Sequence, residues 1–170
     1  WGFESLWARH HKVVFMIFTD IKKFREEIKK NTRVMGVDFG SKNVGLSVSD
    51  RDLNIASPLG IILRKTNKYT IQNLGNVILK NNVSAIVFGL PLNSDGEETI
   101  FCKTVRNFVS EMEKTINTPI YFYDESLTSN AAESVLFDDL KQGFRNVKKN
   151  VDKVAAVILL QDFLNFLKRL

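Results

Sequence analysis

Histidine is almost missing from this sequence. His10 and His11 are the two in 170 residues, and none occurs from Arg33 onward. That absence removes Ser-His and Cys-His nucleophilic catalysis, and His-rich zinc sites, from the bulk of the chain. Chemistry there must rest on carboxylates, lysines, hydroxyls or a metal. Cysteine is as scarce. The single Cys102 excludes an internal disulfide framework, fits a reducing compartment and reads as a small buried hydrophobe. No apolar run is long enough to span a bilayer, and Val13 to Phe18 lies between Lys12 and Asp20. A membrane is therefore not an expected partner. Internal repeats and low-complexity tracts are absent too.

What is present is a core and a basic surface. Hydrophobic residues make up 44%, with thirteen Phe, enough for one packed domain. The net charge of +5 permits a polyanionic partner such as RNA or DNA. Residues 1–32 read as an N-terminal extension. Within it, Asp20 caps a helix whose stripe is Ile21, Phe24 and Ile28, expected to dock on a domain spanning 33–170. A transit peptide is the alternative, but Asp20, Glu26 and Glu27 count against one. The expected compartment is the cytoplasm, or a plastid or mitochondrion if a targeting segment has been removed.

The pattern from Arg33 onward gives β-β-β-α-β-α-β-α-α. Arg33–Gly40 is a β-rich run ended by glycine, and Val44, Leu46 and Val48 alternate with small residues as a half-buried second strand. Ile55–Leu63 offers a third. Ile71, Leu74, Val77 and Ile78 mark a helix, and Ser84–Gly89 a strand buried on both faces. Phe101, Val105, Phe108, Val109 and Met112 mark another helix, and Ile120–Tyr123 a last strand. A short helix follows, capped by Thr128, Ser129 or Asn130, then a basic loop and an apolar final helix over 151–167. Short early connections predict antiparallel strands, and the later alternation predicts parallel ones: an α/β fold with a five-stranded mixed sheet flanked by helices.

Asp38 stands inside an apolar strand, where an ionised carboxylate is costly unless paired or metal-bound. Gly36 and Gly40 share its face and are expected to leave room for a ligand. Asp124 and Glu125 end the last strand, and because consecutive strand residues face opposite ways, one of them is expected to enter the site. Asp152 opens the final helix. A first-turn acid also suits the helix dipole, so alone it says little. Asp95, in the turn-forming Asn93-Ser-Asp-Gly96, is either a fourth acid or a turn residue. Carboxylates from separate elements suit Mg²⁺ or Mn²⁺, and two such ions can activate water and stabilise the leaving oxygen of a phosphodiester. Lys42, Arg64, Lys65, Arg106, Arg145, Lys148 and Lys149 are candidate phosphate contacts, or solvated surface charges.

Four stretches carry a resemblance to a known family. They are Val37-Asp-Phe-Gly-Ser-Lys-Asn-Val-Gly45, Gly89-Leu-Pro-Leu-Asn-Ser-Asp-Gly96, Asp124-Glu-Ser-Leu-Thr128 and Val151-Asp-Lys-Val-Ala-Ala-Val-Ile-Leu-Leu-Gln161. In this order the sequence resembles the YqgF (RuvX-like) family, described as pre-16S rRNA nucleases or Holliday junction resolvases. The resemblance implies a ribonuclease H-like fold and a carboxylate site of Asp38, the Asp124–Glu125 pair and Asp152, with Asp38, Glu125 and Asp152 as metal ligands. It implies cleavage of structured RNA, as in 5′-end processing of pre-16S-type ribosomal RNA, with a resolvase cutting branched DNA as the alternative. A homodimer is compatible with either and more expected for a resolvase. The family usually places Arg after the Asp-Glu pair, and Ser126 stands there instead. That departure leaves open a nucleic-acid-binding protein that cuts weakly. Asp38-Phe-Gly-Ser-Lys42 also resembles the phosphate hairpin of actin-like ATPases, although those need two lobes.

Overall fold

The short apolar runs of this sequence pair into one mixed sheet, and its amphipathic stretches cover both faces. The computed structural model describes residues 16–93, 95–124 and 151–170, apart from the side chains of 151–153. In chain order the elements are β1 (Ile17–Phe18), α1 (Ile21–Glu27), β2 (Arg33–Phe39), β3 (Asn43–Ser49), β4 (Ala56–Leu63), α2 (Asn67–Lys80), β5 (Val83–Leu90), α3 (Ile100–Met112), β6 (Ile120–Asp124) and α4 (Val151–Lys168). The expected helix after Glu125 and the basic loop fall outside the described residues.

The sheet runs β1-β6-β5-β2-β3-β4. β2, β3 and β4 are antiparallel neighbours, whereas β5 pairs parallel with β2 and with β6, as the connections predict. A sixth strand exceeds the expected five. Ile17 and Phe18 pair parallel with Ile120 and Tyr121, a stretch too short to show a period-2 pattern. Among the described residues no helix is long and apolar enough to cross a membrane.

Two apolar layers sandwich the sheet. On one face, Met35, Val37, Phe39, Ile86 and Phe88 meet Leu74 of α2 and Val105 and Phe108 of α3. On the other, Val34, Ala85, Val87 and Tyr123 meet Val157, Leu160, Phe163 and Leu164 of α4. Cys102 is fully buried in the first layer, as expected of a small hydrophobe. Phe24 joins the second layer with no exposed surface, its ring 5.3 Å from that of Tyr121 and 6.0 Å from that of Phe163. Asp20 caps α1 by accepting from the Lys22 and Lys23 amides.

β3 corrects its sequence reading. Gly45, Ser47 and Ser49 suggest a solvent-facing side, yet both faces of the strand are buried. The small residues mark where α4 lies close, and buried hydroxyls stay affordable because each is bonded. Ser49 Oγ accepts from the Val34 amide and donates to the Asp50 carbonyl.

The Tyr123 hydroxyl donates to Asp162 Oδ2 at 2.6 Å, tying β6 to α4. Burial and the Asp162 carboxylate raise the Tyr123 pKa well above the usual phenol value. A raised folded-state value means a stabilising contribution present below about pH 10, the unfolded tyrosine value, and lost as the pH climbs above it. Tyr123→Phe is expected to cost about 1–2 kcal/mol at neutral pH. It should also flatten the alkaline loss of stability seen in denaturant titrations between pH 9 and 11. Equal alkaline slopes in wild type and variant would contradict this.

Candidate active site

Asp38 lies near the carboxyl end of β2, half-buried, paired in register with Gly45 of β3. One residue earlier, Val37 pairs with Phe88 of the parallel neighbour β5. Carboxyl ends of parallel strands are where α/β sheets gather ligands. The face follows from Gly36. A Cβ there would lie 2.7 Å from Leu160 Cβ and 3.2 Å from the Ala156 carbonyl of α4. Side chains alternate along a strand, so Asp38, two residues on, takes the α4 face.

The direction of α4 is fixed by two contacts. The Ala156 carbonyl and Leu160 Cβ lie over Gly36, and Ser47 Oγ donates to that carbonyl at 2.6 Å. Further along the helix, Gln161 Oε1 accepts from the Ala56 amide, opposite Ser49 at the other end of β3. The N-terminal turn of α4 therefore points toward the Asp38 end of β2. Position 152 precedes Ala156 by one turn, about 6 Å along the helix. Asp38 follows Gly36 by two residues, about 7 Å along the strand. Two acidic positions widely separated in sequence thus lie toward the same end of the sheet, on facing elements.

Of the adjacent acids at the end of β6, Asp124 is described. Asp124 pairs in register with Leu90 and shares the alternation of Ile120 and Phe122, on the α2/α3 side. This is the face opposite Asp38. Tyr121 and Tyr123 take the α4 side. Glu125 lies outside the described residues, as do Ser126, Arg145, Lys148 and Lys149. Among the described residues no cluster of three metal-ligating side chains occurs.

Asp95 is exposed at the tip of a turn that Asn93 closes. The Asn93 side chain accepts from the amides of Asp95 and Glu97 at 3.2 and 2.7 Å. The turn lies beyond the carboxyl end of β5, on the rim where sequence places it.

The glycines beside Asp38 do not open space for a ligand, contrary to the expectation. Gly36 admits α4. Gly40 admits the β2–β3 turn, since a Cβ would lie 2.8 Å from the Asn43 carbonyl. The candidate phosphate contacts also divide. Lys42 is exposed on that turn. Arg64 instead braces it: Nη1 donates to the Gly40 and Ser41 carbonyls at 2.9 and 3.3 Å, and the guanidinium lies 4.2 Å from the Phe39 ring centroid. Burial lowers its pKa, although a guanidinium stays protonated in proteins. Lys65 lies over Tyr69 at 5.1 Å. Arg106 pairs with Glu98 and stacks on Phe122, so its charge is already matched. Sequence reasoning missed Ser47 and the Tyr123–Asp162 tie, which have no local signature.

Comparison with known proteins settles the family. A family model for RuvX, described as Holliday junction resolvase, matches residues 32–166. The chain belongs to the RuvX family. A relative from Maridesulfovibrio salexigens, named "Putative pre-16S rRNA nuclease", is 41% identical over 135 residues, covering 78% of this chain and 97% of the relative. One of the same name from Rickettsia africae is 35% identical over 156 residues, covering 91% and 100%. Among solved structures, RuvC of Thermus thermophilus in complex with a Holliday junction substrate superposes with a TM-score of 0.60 at 14% identity, covering 81% of this chain and 96% of RuvC. At that identity the likeness is one of fold. It supports the ribonuclease H-like architecture expected for a RuvX chain.

Proposed function

We propose that this RuvX chain is a metal-dependent endonuclease acting on structured nucleic acid, and that it trims the 5′ end of a pre-16S-type ribosomal RNA. The placement of Asp38 on β2 and position 152 on α4 toward the same end of the sheet carries the reading. Oxygen donors on separate rigid elements are what a hard cation takes. Asp38, Asp152 and Glu125 are the proposed ligands. Glu125 is preferred to Asp124 because Asp124 follows the alternation of the other face. When bound, Mg²⁺ or Mn²⁺ would supply an activated water and charge neutralisation at the scissile phosphate, with two ions the proposed arrangement. The names of the relatives favour RNA. The family description favours a second substrate, branched DNA.

Cleavage of a pre-16S-like RNA and of a four-way DNA junction, each with Mg²⁺ or Mn²⁺ and with Asp38→Asn as control, tests both. Cutting of the RNA alone is the expected result. Cutting of the junction alone would reverse the substrate assignment, and metal-independent cutting would remove the site. Lys42 is the described cation best placed to meet a phosphate near Asp38, being exposed on the turn after β2. Lys42→Ala is expected to weaken RNA binding uniformly across sequences and to make the log–log salt dependence shallower by about one ion. An unchanged slope in anisotropy titrations would exclude Lys42 from the interface.

A further inference from the structure

α4 touches β2 and β3 through a contact built for close approach. Ser47 has no exposed surface, and its hydroxyl donates across the layer to a helix carbonyl, that of Ala156 at 2.6 Å. Burying a hydroxyl is costly unless it is bonded, so this bond favours one seating of the helix. Gly36 lies beneath the same point. A Cβ there would stand 2.5 Å from Ser47 Oγ and 2.7 Å from Leu160 Cβ. Carbon atoms normally pack at about 3.5–4.0 Å, so even a methyl group would drive helix and strand apart by about an ångström. Interiors are close-packed and transmit such a displacement.

We propose that Gly36 and Ser47 are positioning residues for the carboxylate site: together they seat α4 with its N-terminal part toward the Asp38 end of β2, and through that seating set the affinity for the divalent cation. The inference rests on the proposed reading of Asp38 and Asp152 as ligands of one site. Asp38 lies two residues beyond Gly36, and position 152 lies one turn before Ala156 and two before Leu160, the two α4 residues in the contact. The rest of α4 is held independently, by Gln161 to the Ala56 amide and the Asn54 carbonyl, by Asp162 to Tyr123, and by the apolar layer around Phe163. The contact reaches Leu160 as well as Ala156, so loosening it shifts α4 from Leu160 toward its N-terminus while these ties keep the helix docked. Groups that support metal ligands typically change affinity by about 10- to 100-fold, and a displacement of about 1 Å can cost about 100-fold in rate.

The test uses the full chain and three readouts: Mn²⁺ binding followed by the paramagnetic signal of the free ion, RNA binding by anisotropy in chelator, and thermal melting. Gly36→Ala is expected to weaken Mn²⁺ binding about tenfold or more while leaving metal-free RNA binding unchanged. Ser47→Ala removes one oxygen and leaves the packing shape intact. It should weaken Mn²⁺ binding by a smaller factor, again with RNA binding preserved, and it decides the matter if Gly36→Ala does not melt cooperatively. Unchanged Mn²⁺ affinity in Ser47→Ala and in any folded Gly36→Ala, with binding lost in Asp38→Asn, would overturn the positioning role and keep the site. Equal losses of metal and RNA binding would overturn it as well, by showing a general loss of structure. Wild-type Mn²⁺ binding in Asp38→Asn would overturn both readings.

Discussion

Asp38→Asn is expected to abolish cleavage while leaving the fold and nucleic-acid binding in place. Asn matches Asp in size and shape, so the half-buried position at the end of β2 can accept it. What changes is charge. A neutral amide is a poorer donor for a hard cation than a carboxylate. Losing a group that organises charge in the transition state costs about 3–4 kcal/mol, which converts to on the order of 10²–10³ in rate. If the cation is lost outright the fall is larger. Binding should go the other way. Removing a negative charge that faces a phosphate backbone leaves affinity in chelator equal or tighter. The comparison needs single-turnover cleavage under saturating enzyme, anisotropy without metal, and a melting curve. A variant that cuts at the wild-type rate would falsify the assignment of Asp38. Weakened binding with normal metal-dependent cleavage would assign it instead to substrate contact.

The second large effect is on stability. Phe24→Ala should lower the melting temperature by on the order of 10 °C, from a loss of about 3–5 kcal/mol for truncating a fully buried aromatic in a domain of this size. The ring has no exposed surface and meets Phe18, Tyr121 and Phe163 within 6.0 Å. It therefore joins β1, α1, β6 and α4 in one cluster. Phe24→Leu retains most of the apolar contact and should recover most of the loss. A shift below about 2 °C for Phe24→Ala would show that the α1 segment contributes little to the core.

Much of this architecture is legible in the sequence because burial is periodic. The continuous run Ser84–Gly89 reads as a doubly buried strand and is one, within β5. The Ile71, Leu74, Ile78 stripe reads as a helix face and packs as one, in α2. Asp20 announces α1 by its capping chemistry. What stays hidden depends on tertiary partners. Ser47 is an alternating small polar residue, and nothing local says that a helix carbonyl will cover it. Gly36 is legible as space, but whether helix or ligand fills that space is decided by α4, far along the chain. Alternation predicts that one of Asp124 and Glu125 enters the site, but which side receives Asp124 depends on where α2, α3 and α4 dock. Arg106 reads as a free cation because its partner, Glu98, and its platform, Phe122, lie on other elements.

Facing elements from opposite parts of the sequence also impose an order in time. During synthesis Asp38 leaves the ribosome early, on a strand whose covering helix has not yet been translated. The Ser47 hydroxyl has no helix carbonyl to meet, and Phe24 has no Phe163, until α4 emerges. On the proposed reading, a nascent chain that lacks α4 holds Asp38 without position 152 and does not cut, however close it lies to ribosomal RNA.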